Sequence, residues 1–504
     1  MNNGHPERNE VCRPEQSARP ERSRREGPAF LTSPKSLFAS DADFLSREQA
    51  QALANRVLSF AKADETRVNI TSGWSGNTRF AGNEITTSGG TTNTSVTVTS
   101  TIGKRRASST TNILDDENLR RTVDLAERLA KLSPEDPEGM PELGAQTYAA
   151  VNGYFDGTAN LTPETRAVAA KRTIDVAEKT AAGTNNMFVA GFLRANAGSN
   201  AIATSRGLFA YHRNSDAELS TTVRTPDATG SGWASAGARD WGLIDPSALG
   251  RAAAQKAVRS RNPKAIEPGL YTVVLEPQAV ADIMPQLIGS FNARANDEGR
   301  GTFSKQGGGT RLGEKIADER VTLYSDPTDP DLLTQPFDSG GFPLKRVVYV
   351  ENGILKSFSY DRYWAQQKGV QPTSGSGGGF GGGGGGGGGG FGGGGGGLKF
   401  VGGSKSTEEL IAGTERGILV THFFYIRFLD QRTVLLTGLT RDGTFLIEKG
   451  KITQALKNFR WNESPLFMLS KIDEIGRAER TAAGQVMPAL RVKDFNFTSL
   501  SDAV

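Results

Sequence analysis

The sequence predicts an α+β fold, with an N-terminal α+β domain of mostly antiparallel strands and a C-terminal β-rich domain, barrel-like or a sandwich. Three observations predict it. Capped, amphipathic helices in the first half are separated by runs of alternating polarity, without the regular strand-helix-strand alternation of a parallel sheet. The second half is mostly short apolar strands and turns, including two hairpins of one design. Between them, Asn262-Pro263 and Glu267-Pro268-Gly269 mark a boundary near residue 265. A chain of 504 residues has room for two or three domains of about 100–200 residues each. The expected organisation is a disordered extension over 1–40, an α+β domain over 41–265 and a β-rich domain over 266–504.

Residues 1–40 are rich in Arg, Glu, Pro and Ser and carry too little apolar surface to offset the entropy of ordering. Ser46-Arg47-Glu48-Gln49 has the spacing of a capping box, and Leu53, Ala54, Val57 and Leu58 follow at helical spacing. Strands are expected at Val68–Ile70, Arg79–Ile85 and Val96–Val98, with a turn at Ile102-Gly103-Lys104 leading into a return strand. A second helix is expected over 116–132, ended by Pro134 and Pro137. Thr162-Pro163 and Asp245-Pro246 each pair an N-cap with proline at the first helical position, and Gly183 is the stop for the first of these helices. Between them, strands are expected near 188–193, 203–212 and 219–223.

The second half opens with the buried-strand pattern Tyr271-Thr272-Val273-Val274-Leu275. Glu276-Pro277 then starts a helix that Pro285 kinks or ends, since proline lacks the amide hydrogen and clashes with the preceding turn. Asn352-Gly353 and Lys449-Gly450 each sit between strand-like runs, as two-residue hairpin turns require. Of the 62 glycines, 20 fall between Gly375 and Gly397, so the loop 373–398 is expected to be a flexible insertion whose Gly/Phe tract cannot pack a core. No strand feeds it and no Gly-Lys-Ser/Thr follows at the right spacing, so it is not a phosphate-binding loop.

Composition excludes several classes. A net charge of +4 gives no global pull toward nucleic acid or membrane. Cys12 is the sole cysteine, so an internal disulfide is impossible and a reducing compartment fits. His5, His212 and His422 are the only histidines and are far apart, so no HExxH zinc helix exists. There is no run of 18 apolar residues and no apolar leader core in the first 30, so the expected location is the cytoplasm.

No catalytic set stands out by residue type. Gly73-Trp74-Ser75-Gly76 and Gly375-Ser376-Gly377 do not place a serine on a strand-to-helix elbow. His212, on a strand, reads as a satisfied, half-buried residue. His422 lies in a long strand-like run, 417–428, with Tyr425 and Arg427, ahead of the turn that holds Arg441 and Asp442. Imidazole, phenol and guanidinium groups gathered in one segment are suited to a peptide carboxylate or carbonyl, and these five residues are the candidate peptide-binding set. The alternative is a buried strand with its polar residues toward solvent and an Arg-Asp pair pinning a turn.

Several segments, in order, resemble the TldD/PmbA (TldD/TldE) family. They are Arg79-Phe80-Ala81-Gly82-Asn83-Glu84-Ile85, Gly103-Lys104-Arg105-Arg106-Ala107 with Asp115–Leu119, and Gly301-Thr302-Phe303 with Leu312–Ile316. Asp326-Pro327-Thr328, Phe337-Asp338-Ser339-Gly340-Gly341-Phe342-Pro343, Glu351–Ser357, the Phe445–Ile452 hairpin and Leu469–Gly476 complete the series, which spans roughly 45–500. The resemblance implies subunits that pair around a closed proteolytic chamber, in which TldD-like members bind zinc through an HExxxH helix and a later cysteine. Here the corresponding helix reads Ala281-Asp282-Ile283-Met284-Pro285-Gln286-Leu287-Ile288-Gly289, without histidine, and no C-terminal cysteine exists. The chain therefore resembles the metal-less TldE/PmbA-type subunit. It is expected to hold no cofactor itself, with zinc only in a TldD-like partner. The expected partners are that catalytic subunit or a second copy, with a peptide substrate and neither membrane nor nucleic acid. The competing readings are an independent peptidase with an atypical site near His422, and a nucleic-acid-associated module.

Overall fold

Local capping chemistry starts the helices where the sequence places it. In the computed structural model, which describes residues 44–180, 186–374, 397–482 and 484–501, the Ser46 hydroxyl accepts from the Gln49 amide while the Gln49 side chain accepts from the Ser46 amide. Asp115 caps Asp116–Leu132, and Asp245-Pro246 opens Pro246–Arg259. The N-terminal extension, Gly183 and most of the glycine-rich loop lie outside the described residues. Among the described residues no helix is long and apolar enough to cross a membrane.

The first half is a six-stranded antiparallel sheet of β1 (Glu65–Ala81), β2 (Glu84–Ile102), β3 (Arg105–Thr111), β4 (Phe188–Thr204), β5 (Phe209–Arg224) and β6 (Ser231–Ala238), in the order β3-β2-β1-β4-β5-β6. Along β1 the residues Val68, Ile70, Ser72, Thr78 and Phe80 are buried, while Arg67 and Asn69 occupy the opposite face, as the two-residue period of a strand dictates. Arg47–Leu58 packs on β1 and β4, Asp116–Leu132 on β2 and β3, and Pro246–Arg259 on β5 and β6. Gly232 lets the last helix approach closely, since a Cβ there would lie 2.2 Å from the Ala253 carbonyl oxygen.

Two expectations change here. The separate strands expected around 68–70, 79–85 and 96–98 are one continuous hairpin of 17 and 19 residues. The stretch Arg79–Ile85 is not one strand but the end of β1, a turn at Gly82-Asn83 where both residues have positive φ, and the start of β2. Likewise the segments 188–193, 203–212 and 219–223 merge into the β4–β5 hairpin. Gly, Ser, Thr and Asn dominate these stretches and mimic loops, but the ladder hydrogen bonds do not depend on side-chain type.

The second half holds a 13-stranded sheet. Its strands are β7 (Gly269–Leu275), β8 (Leu323–Ser325), β9 (Val347–Glu351), β10 (Ile354–Leu355), β11 (Lys399–Phe400), β12 (Arg416–Val420), β13 (Phe423–Asp430), β14 (Leu435–Thr440), β15 (Thr444–Glu448), β16 (Lys451–Ala455), β17 (Asn458–Glu463), β18 (Ile472–Arg480) and β19 (Val486–Ser501). The barrel-like alternative gives way to an open, branched sheet. Its main path runs from β10 to β16 without closing, because β19 pairs with β7, β11, β17 and β18 at different points along its length. Phe423, Phe459, Trp461, Phe495 and Phe497 form an aromatic core beside β19. The helix after β7 runs Pro277–Ile283 and breaks at Pro285.

The expected continuous strand over 417–428 is also corrected: it divides at Thr421-His422. The Thr421 amide donates to the Gly443 carbonyl, and the His422 carbonyl accepts from the Arg441 amide. The chain thereby leaves the β7–β12–β15 branch and enters the β13–β14–β17 branch.

Candidate functional site

The β12–β13 crossing is a junction between the two halves of the molecule. Asp282, on the helix Pro277–Ile283, presents one carboxylate oxygen to two donors at that crossing, His422 Nδ1 at 2.8 Å and the Phe423 amide at 2.9 Å. Its other oxygen accepts from the Gln278 side chain at 2.8 Å, and Gln278 in turn accepts from the Ala482 amide. With a carboxylate as acceptor, the His422 Nδ1–H is the donor of this hydrogen bond. Trp233 of β6 stacks on that ring, with centroids 4.5 Å apart and planes 13° from parallel.

Next to it, Asp442 is buried and accepts a short hydrogen bond from the Ser231 hydroxyl of β6. Asp442 lies at φ +54°, and the Arg441 guanidinium is 3.7 Å from its carboxylate. A cavity of about 360 Å³ opens beside Asp442, lined among others by Ser231, Ser260, Asn262 and Thr444. Arg441 also lies over the Phe424 ring at 4.3 Å, Phe424 meets Tyr425, and Arg427 lies over Tyr425 at 4.6 Å.

The five candidates therefore separate into two groups. His422 and Asp442 face the first half and are engaged there by Trp233 and Ser231, while Asp282 of the second half holds His422 from behind. Tyr425 and Arg427 are exposed on β13 and pair with each other, while Arg441 bridges the two groups. Asp282, Gln278, Trp233 and Ser231 were not in the predicted set. Asp282 was visible as the one acid of its helix, but nothing local in the sequence registers β6 against His422.

His212, expected to be half-buried and satisfied, is buried with Nε2 lacking a hydrogen-bond partner. Burial, reinforced by Arg239, pushes its imidazole down to about 4. Arg239 is itself buried and donates to the Leu332, Thr334 and Gly153 carbonyls; burial lowers it to about 10.

The helix that aligns by resemblance with the zinc-binding HExxxH sequence does not fit the metal. Asp282 is its one ionisable side chain, and both carboxylate oxygens are committed to protein donors. Among the described residues no group of three or more His, Cys, Asp and Glu side chains converges to hold an ion.

The profile of the PmbA/TldA metallopeptidase central domain matches residues 160–261, and that of the PmbA/TldA metallopeptidase C-terminal domain matches 268–499. The chain belongs to the TldD/PmbA family. Among relatives of this TldD/PmbA protein, a metalloprotease of Methanothermobacter thermautotrophicus is 31% identical over 245 residues, 48% of this chain and 50% of that protein. The metalloprotease TldD homolog of Buchnera aphidicola is 24% identical, over 41% of each chain. The chain thus spans half or less of the length of the curated relatives it matches. Among solved structures, TldE of Thermococcus kodakarensis superposes with a TM-score of 0.75 at 19% identity, covering 90% of this chain and 100% of that one. A Thermotoga maritima protein described as a modulator of a DNA gyrase gives 0.74 at 20% identity, covering 89% and 100%. At these identities the superpositions establish a shared fold.

Proposed function

We propose that this TldD/PmbA protein is the non-catalytic, TldE/PmbA-type subunit of a cytoplasmic metalloprotease complex that degrades or processes peptides. It pairs with a TldD-like catalytic subunit, where zinc resides, or with a second copy of itself. The observation that carries this reading is the state of Asp282: the one acid of the would-be metal helix is spent on His422, Phe423 and Gln278, and so pins that helix to the β12–β13 crossing within the second half. Hydrolysis on zinc needs about three protein ligands, an open position and a carboxylate base. The edge of β13, which among the described residues pairs with β14 alone, supports a peptide-binding role, since an extended peptide adds to such an edge through backbone hydrogen bonds.

The test is metal analysis of the purified chain together with peptide cleavage, with and without chelator and with and without an HExxxH-bearing homologue. Cleavage that requires the homologue, is abolished by chelator and is accompanied by co-purification is the expected result. Stoichiometric zinc and cleavage by this chain alone would overturn it. The second reading, an independent peptidase, is favoured by the Asp282–His422 pair, which has the geometry of a general base and its orienting acid. Among the described residues no hydroxyl or thiol is hydrogen-bonded to His422, and chelator-resistant cleavage by the chain alone is its signature.

A further inference from the structure

A second opening on the same junction carries a different chemistry. Two adjoining cavities, of about 450 and 560 Å³, share Glu142, Arg362 and Tyr363 in their walls. They are formed where β1, β3 and the 136–143 segment of the first half meet the 292–300, 339–340 and 361–363 segments of the second. Each is within the size range of ligand sites, about 300–1,000 Å³. The Phe337–Pro343 motif shapes one wall. Asp338 accepts the Gly340 and Phe342 amides, Gly341 lies at φ +80°, and Asn69 and Tyr148 of the first half donate to the Ser339 and Gly341 carbonyls.

At its centre one guanidinium is left without an ion pair. Glu142 is buried and is the carboxylate partner of both Arg67, at 3.2 Å, and Arg106, at 3.1 Å. Arg362 projects into the same space; it donates to the Pro141 carbonyl at 2.8 Å and has no carboxylate within ion-pair distance among the described residues. Of the other ionic groups of the wall, Arg294 pairs with Glu138 and Glu298 and Arg300 with Glu298, while Asp361 and Asp136 accept from the Trp364 and Glu138 amides and lie beyond ion-pair distance of Arg362. Arg67 and Arg106 thus share the Glu142 carboxylate, and Arg362 stands beside them in a partly desolvated cleft without an ion pair of its own. Charges withdrawn from water are normally paired, and the planar guanidinium fork fits a carboxylate with two parallel hydrogen bonds.

We propose that Arg67, Arg106 and Arg362 bind a carboxylate of the peptide substrate, so that this subunit selects acidic, carboxylate-terminated peptides. The proposal rests on the peptide-processing reading above and adds the substrate class to it. The neighbouring cavity, which reaches Arg206, gives the remainder of an extended chain somewhere to run.

Binding to the full-length chain is measured by fluorescence polarisation with two probes. One is a labelled Gly/Ala peptide ending in Glu-Glu with a free carboxylate; the other is the same peptide ending in Gln-Gln amide. The expected result is at least about tenfold tighter binding of the acidic probe, the size of one lost charge-assisted hydrogen bond. Arg362→Gln should bring the acidic probe to the affinity of the amide and leave the amide unchanged. Equal binding of the two probes to the unmodified chain overturns the proposal without any variant. So does an acidic-probe affinity that survives Arg362→Gln in a variant whose melting curve shows it folded. Glutarate competing as strongly as the peptide would assign the site to a free dicarboxylate instead and overturn the peptide assignment. Pairing with the HExxxH-bearing homologue is scored separately, so failure of the subunit reading is distinguishable from failure of this one.

Discussion

The two ends of the junction between the halves are built from the same materials to opposite effect. At the end formed by β6 and the β12–β13 crossing, the polar groups that cross meet partners: Asp442 with Ser231, Glu276 with Lys256, Arg239 with the Leu332 and Thr334 carbonyls, while Asp282 holds His422 and Phe423 in place on the second-half side. At the end formed by β1, β3 and Arg362, guanidinium groups outnumber the carboxylate between them and line open space. A closed polar network fixes the relative placement of two elements, because an unpaired member is costly once water is gone. An unbalanced one beside a cavity has binding capacity left over. The polar network near His422 therefore belongs to architecture, and the arginine cleft to recognition.

The strongest way to break this contrast is at Arg239. Arg239→Met removes donors from carbonyls of both halves and leaves them buried without partners. The expected loss is about 3–5 kcal/mol, read as a lower urea midpoint at unchanged slope. A loss under about 1 kcal/mol would show that this end is not held by its polar groups. His212, packed beside Arg239, gives the next largest effect and a sign. Its ring is held at about 4 in the folded chain, against an ordinary value of about 6.5. The unfolded chain binds the extra proton between these values, so stability is fully present above about pH 6.5 and falls as pH drops toward 4, by about 3 kcal/mol. His212→Asn should flatten that slope in denaturation curves taken across this window.

The same contrast explains what was legible in the sequence. Helix starts were, because Ser46 with Gln49, Asp115 with Asn118 and Asp245 with Pro246 act within one turn. Strand extent in 71–95 was not, since its Gly, Ser, Thr and Asn residues announce loops while their backbones pair with β1 or β2 and, along β1, with β4 as well. His422 was visible through the scarcity of its type and Asp282 as the lone acid of its helix. Their contact spans 140 residues and depends on where β12 breaks, which is decided by the hydrogen bonds of Thr421 to the Gly443 carbonyl and of the Arg441 amide to His422. The arginine cleft was hidden more deeply. Arg106 stood in a family motif, but nothing marks Arg67 and Arg362 until Glu142 is seen between Arg67 and Arg106.

Asp282→Asn sharpens the closed end at smaller cost. An amide keeps one acceptor but cannot accept from both sides, so one of its three present donors loses its partner. About 1–2 kcal/mol should be lost in thermal or urea unfolding. If the closed end is architectural, cleavage by the complex with its catalytic homologue keeps its kcat once the variant is assayed well below its melting temperature. A collapse of kcat with an intact fold would move Asp282 into the chemistry.

The smallest stability effect belongs to Arg362→Gln, and the contrast depends on its being small. Arg362 has one hydrogen bond to lose, to the Pro141 carbonyl, and glutamine is long enough to remain polar in the cleft. Removing the charge also relieves the cost of desolvating the guanidinium, which is the larger effect on Arg362, against the lost attraction to Glu142 that outranks the repulsion with Arg106. Stability should change by no more than about 0.5 kcal/mol, in the range of ordinary surface substitutions, while carboxylate binding is lost. Arg239→Met and Arg362→Gln both delete one guanidinium from the same junction. A large stability loss without a binding defect for the first, and the reverse for the second, would separate the end that holds the halves together from the end that holds a ligand. Comparable losses of stability at both would mean the arginine cleft is also architecture.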